Sequence, residues 1–199
     1  MVYLDDMLAA KEAVVADVRL NIGSGRDYRE GWVNVDKYYP RADLSFDLES
    51  YPWPLADNSV FEANAAHVLE HMHEWSDVLR ELHRVCSDGA AVHIRVPNFA
   101  SSIAFTDPTH RRFFSVRSFD YFDPSTKIGK GSGYEVFGNF KVMKRYIRFP
   151  WWFFWMNPIV NCCFLMQKFY EDSTLRGLFP CGEMLFELVA VKKGDEVYV

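Results

Sequence analysis

Cysteine is scarce in this chain. Its four cysteines, Cys86, Cys162, Cys163 and Cys181, form no CxxC pair, and two of them are neighbours. That spacing excludes a disulfide framework and a zinc ribbon, and it implies a reduced, cytoplasmic setting. A basic surplus is missing as well. The net charge of −5 argues against a broad nucleic-acid footprint, which needs a basic face. Basic residues cluster only briefly, at Arg111-Arg112 and from Lys141 to Arg148. The uncharged run 149–167 falls short of the roughly 20 apolar residues of a spanning helix, and Asn157, Pro158 and Asn161 interrupt it. No signal-peptide pattern opens the chain, where Asp5, Asp6, Lys11 and Glu12 stand. Repeats and low-complexity linkers are also absent. What is present is a chain of 199 residues, 49% of them apolar, enough for one sizeable core.

The apolar pattern switches between two periods. Residues 4–16 predict an amphipathic helix, with Leu4, Met7, Leu8, Val14 and Val15 on one broad face. Short apolar runs at 18–22, 32–35 and 60–66 predict strands, and 44–47 a brief further one. Trp75, Val78, Leu79, Leu82 and Val85 recur at helical spacing, predicting a helix over 74–86 with Asp88-Gly89 as its stop. Further strands are expected over 90–96, 140–149 and 184–191. A parallel crossover usually takes about a dozen residues. The stretch 23–31 is short for a crossover helix, so a loop or a single turn is expected there. Alternating elements argue for a parallel sheet with covered faces, an α/β domain.

Function-bearing residues collect where strands end. Gly23-Ser24-Gly25 follows the first strand, Asp36 the second, and Asp47-Leu48 the third. Open α/β sheets bind ligands beyond the carboxyl ends of their strands. Glycines let a ligand approach the backbone, and a carboxylate at a strand tip suits the two hydroxyls of a ribose. Together they suggest a nucleoside site. A nicotinamide cofactor fits poorly: Tyr28 stands where GxGxxG needs its third glycine, and Asp36 follows too soon for that fingerprint. A nucleotide-dependent oxidoreductase is therefore the weakest reading.

The segments LNIGSG (20–25), GWVNVD (31–36), DLE (47–49), HVLEH (67–71) and LHRV (82–85) resemble class I S-adenosylmethionine-dependent methyltransferases, in particular a small bacterial type-11-like predicted subgroup. The run FTDPTHRRFF (105–114) and the terminal LFELVAVK (185–192) are similar to the same subgroup. The resemblance implies a Rossmann-like, mostly parallel seven-stranded sheet with helices on both faces and an antiparallel last strand. With no internal repeat or linker, a single domain over 1–199 is expected, with 98–139 and 150–182 as substrate-side loop and helix insertions. The resemblance also implies that Gly23, Ser24 and Gly25 face the methionine part of the cofactor. Asp36 would hold the ribose, Asp47 and Leu48 the adenine, and Ala66 and His67 would line the cofactor further on. Many members carry an acid where this chain has Asn21, whose amide oxygen would accept from the cofactor's ammonium without offering charge.

Histidines supply the candidate chemistry. His67 and His71 are one helical turn apart, a spacing that suits two metal ligands or an acid/base pair. The alternative is that one caps a helix and the other packs on the sheet. No third ligand is evident in the sequence, and no metal is expected. His110, after Asp107-Pro108, is the candidate general base, tuned by Asp107, with His71 as a further catalytic candidate. Arg111 and Arg112 would hold an anionic substrate. The alternative is a structural turn over 107–112.

The aromatic stretch 149–158, with Trp151, Trp152 and Trp155 beside Arg145 and Arg148, is compatible with a buried helix or lid, a homodimer surface, or peripheral membrane contact through 149–166. The leading reading is a methyltransferase for a small-molecule or glycan-precursor acceptor, using S-adenosylmethionine. The alternative is a non-catalytic cofactor-binding or interaction module on the same fold.

Overall fold

A computed structural model describes residues 18–130 and 138–192. The helix expected over 4–16 lies outside the described residues. The strands are β1 (Val18–Ile22), β2 (Val33–Val35), β3 (Val60–Ala66), β4 (Cys86–Pro97), β5 (Phe140–Arg148) and β6 (Glu183–Ala190). They form one sheet in the order β2-β1-β3-β4-β6-β5. The first four run parallel, and β6 is antiparallel to both neighbours. The described sheet has six strands, not the expected seven. The predicted strand over 44–47 is reduced to one parallel bridge, Val35 to Leu44. Beyond it, Asp47 and Ser50 enter a turn, with Ser50 N donating to the Asp47 carbonyl at 2.9 Å.

Helix α1 (Trp75–Val85) buries Val78, Leu79, Leu82 and Val85, which is the stripe its spacing predicts. The next strand begins at once, at Cys86. Asp88-Gly89 therefore interrupts a strand instead of separating helix from strand. Gly89 has φ +77°, and the β3–β4 register jumps there, from Val60–Cys86 to Glu62–Ala91. Such a bulge needs a residue free to take positive φ.

The connection from β1 to β2 is a loop, as its length predicts. A loop crossing a sheet face leaves main-chain groups that require partners. Asparagines supply them. Asn21, Asn34 and Asn64 stand side by side on β1, β2 and β3. Asn64 Nδ2 donates to Asn21 Oδ1 at 2.8 Å, and Asn21 Nδ2 donates to Asn34 Oδ1 at 3.0 Å and to the Asp27 carbonyl at 2.7 Å. Asn34 exchanges both its amide ends with the main chain of Arg29, at 2.9 Å each way. Its amides also hold the Asp43 carboxyl below its usual range.

The two long segments after β4 are tied to this sheet. Between β4 and β5 comes the short α2 (Ile103–Thr106), and Trp75 of α1 packs edge-on against Phe114, Phe119 and Phe122 of the same segment. Between β5 and β6 come α3 (Met156–Val160), α4 (Phe164–Asp172) and α5 (Leu175–Leu178). Asn161 exchanges two 2.8 Å hydrogen bonds with the Ile147 main chain, and Gln167 donates to the Arg145 carbonyl at 2.8 Å. Glu171 of α4 is buried and accepts from Asn98 Nδ2 at 2.6 Å and Val116 N at 2.9 Å. All four cysteines are free thiols.

Burial raises the Glu171 pKa to about 7. In that case the folded state keeps a proton that the unfolded chain releases. The stability this group contributes is fully present below its unfolded pKa and is lost as pH rises through about 7. The loss is on the order of 3 kcal/mol. Glu171→Gln should remove this slope, so that denaturant melts recorded from pH 5 to 8.5 show the variant gaining on the parent as pH rises.

Candidate functional site

The register brings the expected residues to one edge. Ile22 pairs with Val35 and with Ala65, so Gly23, Asp36 and Ala66 follow at the same level. The antiparallel β6 enters from that edge, with Glu183 opposite Pro97 and Arg148.

The two glycines have different reasons to be there. Both have positive φ, +58° at Gly23 and +46° at Gly25. A Cβ on Gly23 would lie 2.4 Å from Val68 Cγ2, so this residue lets the β1 turn close against the chain leaving β3. A Cβ on Gly25 would meet nothing nearer than Asp36 Oδ2 at 4.0 Å, which leaves its outer side open. Ser24 between them is buried, and its Oγ has no hydrogen-bond partner among the described residues.

Asp36 is the knot of this corner. Its Oδ2 accepts from Gly25 N at 2.9 Å, and its Oδ1 accepts from Tyr38 N and Tyr39 N at 2.8 Å. Each carboxylate oxygen accepts up to two hydrogen bonds, so one acceptor position remains on Oδ2. Asp47 is ion-paired to Lys37 at 2.6 Å, which together with the Glu49 amide keeps its carboxyl below the usual range. Leu48 is buried, and its carbonyl accepts from Trp53 Nε1 at 3.1 Å.

Asn21 departs from its expected place. It is 1% exposed, and its amide is engaged in the asparagine row, with the loop of residues 23–31 over it. Its residue type answers the backbone of that loop.

His67 and His71 do not form a pair on one helical face. His67 has φ +57°, which breaks any helix between them, and only a short 3-10 turn, Leu69–His71, follows. His67 is held between two carboxylates: Nε2 lies 3.0 Å from Glu183 Oε2 and Nδ1 lies 3.1 Å from Glu70 Oε1. Glu183 and then Glu70 raise its pKa to about 9 against the opposing effect of burial. The ring is therefore cationic at neutral pH. Burial works to raise the Glu183 pKa, but His67, Arg95 and Arg148 together outweigh it and hold it below its usual range. Glu183 stands 116 residues from His67; no sequence spacing links them.

His71 meets His110 instead, edge to face with ring centres 4.8 Å apart. The loop bearing His110 is fastened by its main chain: Arg111 N and Arg112 N donate to the Glu70 carbonyl at 2.7 and 3.1 Å. His110 Nδ1 lies 3.1 Å from the Ala104 carbonyl. Asp107 is not in hydrogen-bond contact with His110, its Oδ2 being 4.0 Å from Nε2. It accepts instead from the Thr109 hydroxyl at 2.6 Å and the Thr109 amide at 2.8 Å, which lower its pKa. Of the two arginines, Arg112 is ion-paired to Glu74 at 3.0 Å, while the Arg111 guanidinium is exposed and only 3.4 Å from His73 Nδ1.

The aromatic stretch is turned outward. Trp151 is 79% and Phe154 67% exposed, and Trp152, Trp155, Leu165, Phe169 and Leu178 are also exposed. Met156 and Val160 anchor it inward. Among the described residues, no helix is long and apolar enough to cross a membrane.

No family model matches the chain, and no curated protein matches it in sequence. Solved structures do resemble it. A SAM-dependent methyltransferase from Archaeoglobus fulgidus is 16% identical, with a TM-score of 0.58 over 94% of this chain and 90% of its own. The YcgJ protein from Bacillus subtilis is 14% identical, with a TM-score of 0.57 over 96% and 98%. A 16S rRNA (adenine(1408)-N(1))-methyltransferase from Catenulisporales acidiphilia, crystallised with SAM, is 13% identical, with a TM-score of 0.52 over 99% and 95%. The shared feature is the fold, a Rossmann-like class I methyltransferase fold with six described strands.

The glycine geometry has a direct consequence. Gly23→Ala combines a left-handed backbone, which costs about 1–2 kcal/mol for an L-residue, with a clash against Val68. Gly25→Ala meets the backbone cost alone. Denaturant unfolding should show Gly23→Ala losing roughly 3 kcal/mol or more and Gly25→Ala about 1 kcal/mol.

Proposed function

We propose that the protein is an S-adenosylmethionine-dependent methyltransferase acting on a small-molecule or glycan-precursor acceptor. The observation that carries this reading is the corner made by Gly25 and Asp36. A glycine with an open outer side and a strand-tip carboxylate with one acceptor position left stand together at the carboxyl edge of the sheet. Ribose hydroxyls would donate to Asp36. Gly23, Ser24 and Gly25 would face the methionine part, Asp47 and Leu48 the adenine, and Ala66 and His67 the far wall. The cofactor supplies an activated methyl group. The chain's own contribution is to bind it, hold the acceptor in line with it and take up a proton, with His110 as base and His71 and Asp107 beside it. Exposed Arg111 is the better of the two arginines for an anionic acceptor, since Arg112 already pairs with Glu74. The outward aromatic stretch is assigned to a partner contact, either a second copy of this chain or a membrane surface.

One observation favours the alternative, a binding module without turnover. Asn21 is 1% exposed, so its amide oxygen, already accepting from Asn64, is shielded from the edge where the cofactor's ammonium would stand.

Calorimetric titration with S-adenosylmethionine, its demethylated product and NAD tests the reading. Saturable one-to-one binding of the first two and not of NAD is expected. Absence of binding by the folded protein would overturn it. Asp36→Ala, titrated well below its melting temperature, should bind at least about tenfold more weakly. Once an acceptor is found, His110→Ala should keep cofactor affinity and lose about a hundredfold or more in methyl transfer. A variant with full turnover would remove His110 from the mechanism.

A further inference from the structure

We propose that Glu70, His71 and His110 form a binding site for a divalent transition cation of the zinc class, held by one carboxylate and two imidazoles. This goes beyond the methyltransferase reading and does not depend on it; a cation on His110 Nε2 would take the place of that ring's role as general base.

The fold assembles a set that the His67–His71 spacing does not predict, joining His71 to Glu70 and to the distant His110. One ligand atom from each of the three residues lies within 4.8 Å of the other two. A tetrahedral zinc ion, with bonds of about 2.0–2.2 Å, sets its ligands roughly 3.4 Å apart. Closure from the present separation therefore needs shifts of about 1 Å, within the reach of side-chain rotation.

Hydrogen bonding leaves each side chain with a lone pair to give. A carbonyl oxygen only accepts, so the contact of His110 Nδ1 with the Ala104 carbonyl puts the ring proton on Nδ1 and the lone pair on Nε2. The Thr109 hydroxyl has one proton, and Asp107 Oδ1 at 2.6 Å takes it. The hydroxyl oxygen must then accept from His71 Nδ1 at 2.9 Å, which again leaves the lone pair on Nε2. Metal-ligating histidines are oriented in this way, the other ring nitrogen donating to a carbonyl or polar oxygen.

Glu70 provides the independent observation. The residue is fully buried, and its Oε2 has no hydrogen-bond partner among the described residues. Buried carboxylate oxygens in native proteins are almost always partnered, because an unsatisfied one is costly. A cation would provide the missing partner while Oε1 stays on His67. The frame is already built, since the Arg111 and Arg112 amides fasten the His110 loop to the Glu70 carbonyl. Two imidazoles disfavour calcium and magnesium, which prefer all-oxygen sites. Three protein ligands leave a fourth position for water or for an oxygen of the acceptor.

The test is calorimetric titration of chelator-treated protein with Zn²⁺, repeated with Co²⁺ as an optical probe. One equivalent should bind, with the intense visible bands of four-coordinate Co²⁺. His71→Ala and His110→Ala should each weaken Zn²⁺ binding at least tenfold, while His93→Ala, on a remote pair with Glu62, should leave it unchanged. If either alanine variant fails to fold, His71→Gln and His110→Gln serve in its place. Absence of saturable Zn²⁺ binding would overturn the proposal, and so would binding that persists in both histidine variants. Neither readout involves the methyl donor, so its failure and that of the methyltransferase reading are separable.

Discussion

Three buried amides in line across β3, β1 and β2 set the level at which the candidate site is built. Parallel strands with apolar side chains on both faces resist slippage weakly, because a two-residue shift restores the same pattern. A row of asparagines does not permit that shift. Moving β2 by two residues would separate Asn21 from Asn34 and leave buried amides without partners, at a cost of about 1–3 kcal/mol for each group. The row also accounts for the loop after β1. Where a crossover helix would satisfy its own backbone, this loop borrows the asparagine amides. Gly25 and Asp36 meet because that register holds.

The outer edge of the sheet is organised by charge. His67 lies between Glu70 and Glu183, and Glu183 also receives Arg148 at 2.6 Å. A cationic ring flanked by two carboxylates joins the exit of β3 to the entry of β6, elements far apart in sequence. Glu70 is the centre of a second junction: its carbonyl holds the 107–112 loop and its carboxylate faces the histidines. The residues proposed for chemistry around it are therefore also ones the fold depends on. Substitutions there need a fold readout beside the functional one.

The helical segment between β5 and β6 divides its side chains unequally. Asn157, Asn161 and Gln167 satisfy main-chain groups of the β5 end, and Tyr170 donates its hydroxyl to the Phe179 carbonyl at 2.9 Å. These contacts fix the segment without its tryptophans, so those tryptophans are free to point outward. Large exposed aromatic surface is uncommon on monomers unless it meets a partner.

Local pattern in the chain determined a good deal. Helical spacing from Trp75 to Val85 defined α1, an apolar run defined β6, and the short 23–31 stretch argued against a crossover helix. Turn glycines and strand-tip carboxylates marked the edge where the candidate site is built. Asparagine is depleted in strands, so Asn21, Asn34 and Asn64 inside apolar runs were a signal of the buried row. What tertiary structure decided concerns residues brought together from separate elements. The strand over 44–47 shrank to a bridge because the chain turns away after Leu44. His67 and His71 parted because a positive φ stands between them. Glu183 reached His67, and His110 reached His71 and Glu70, only through the antiparallel entry of β6 and two main-chain hydrogen bonds. Periodicity reports which face a side chain takes within its own element. Contacts between elements depend on register and loop path, which the sheet sets only when it is assembled.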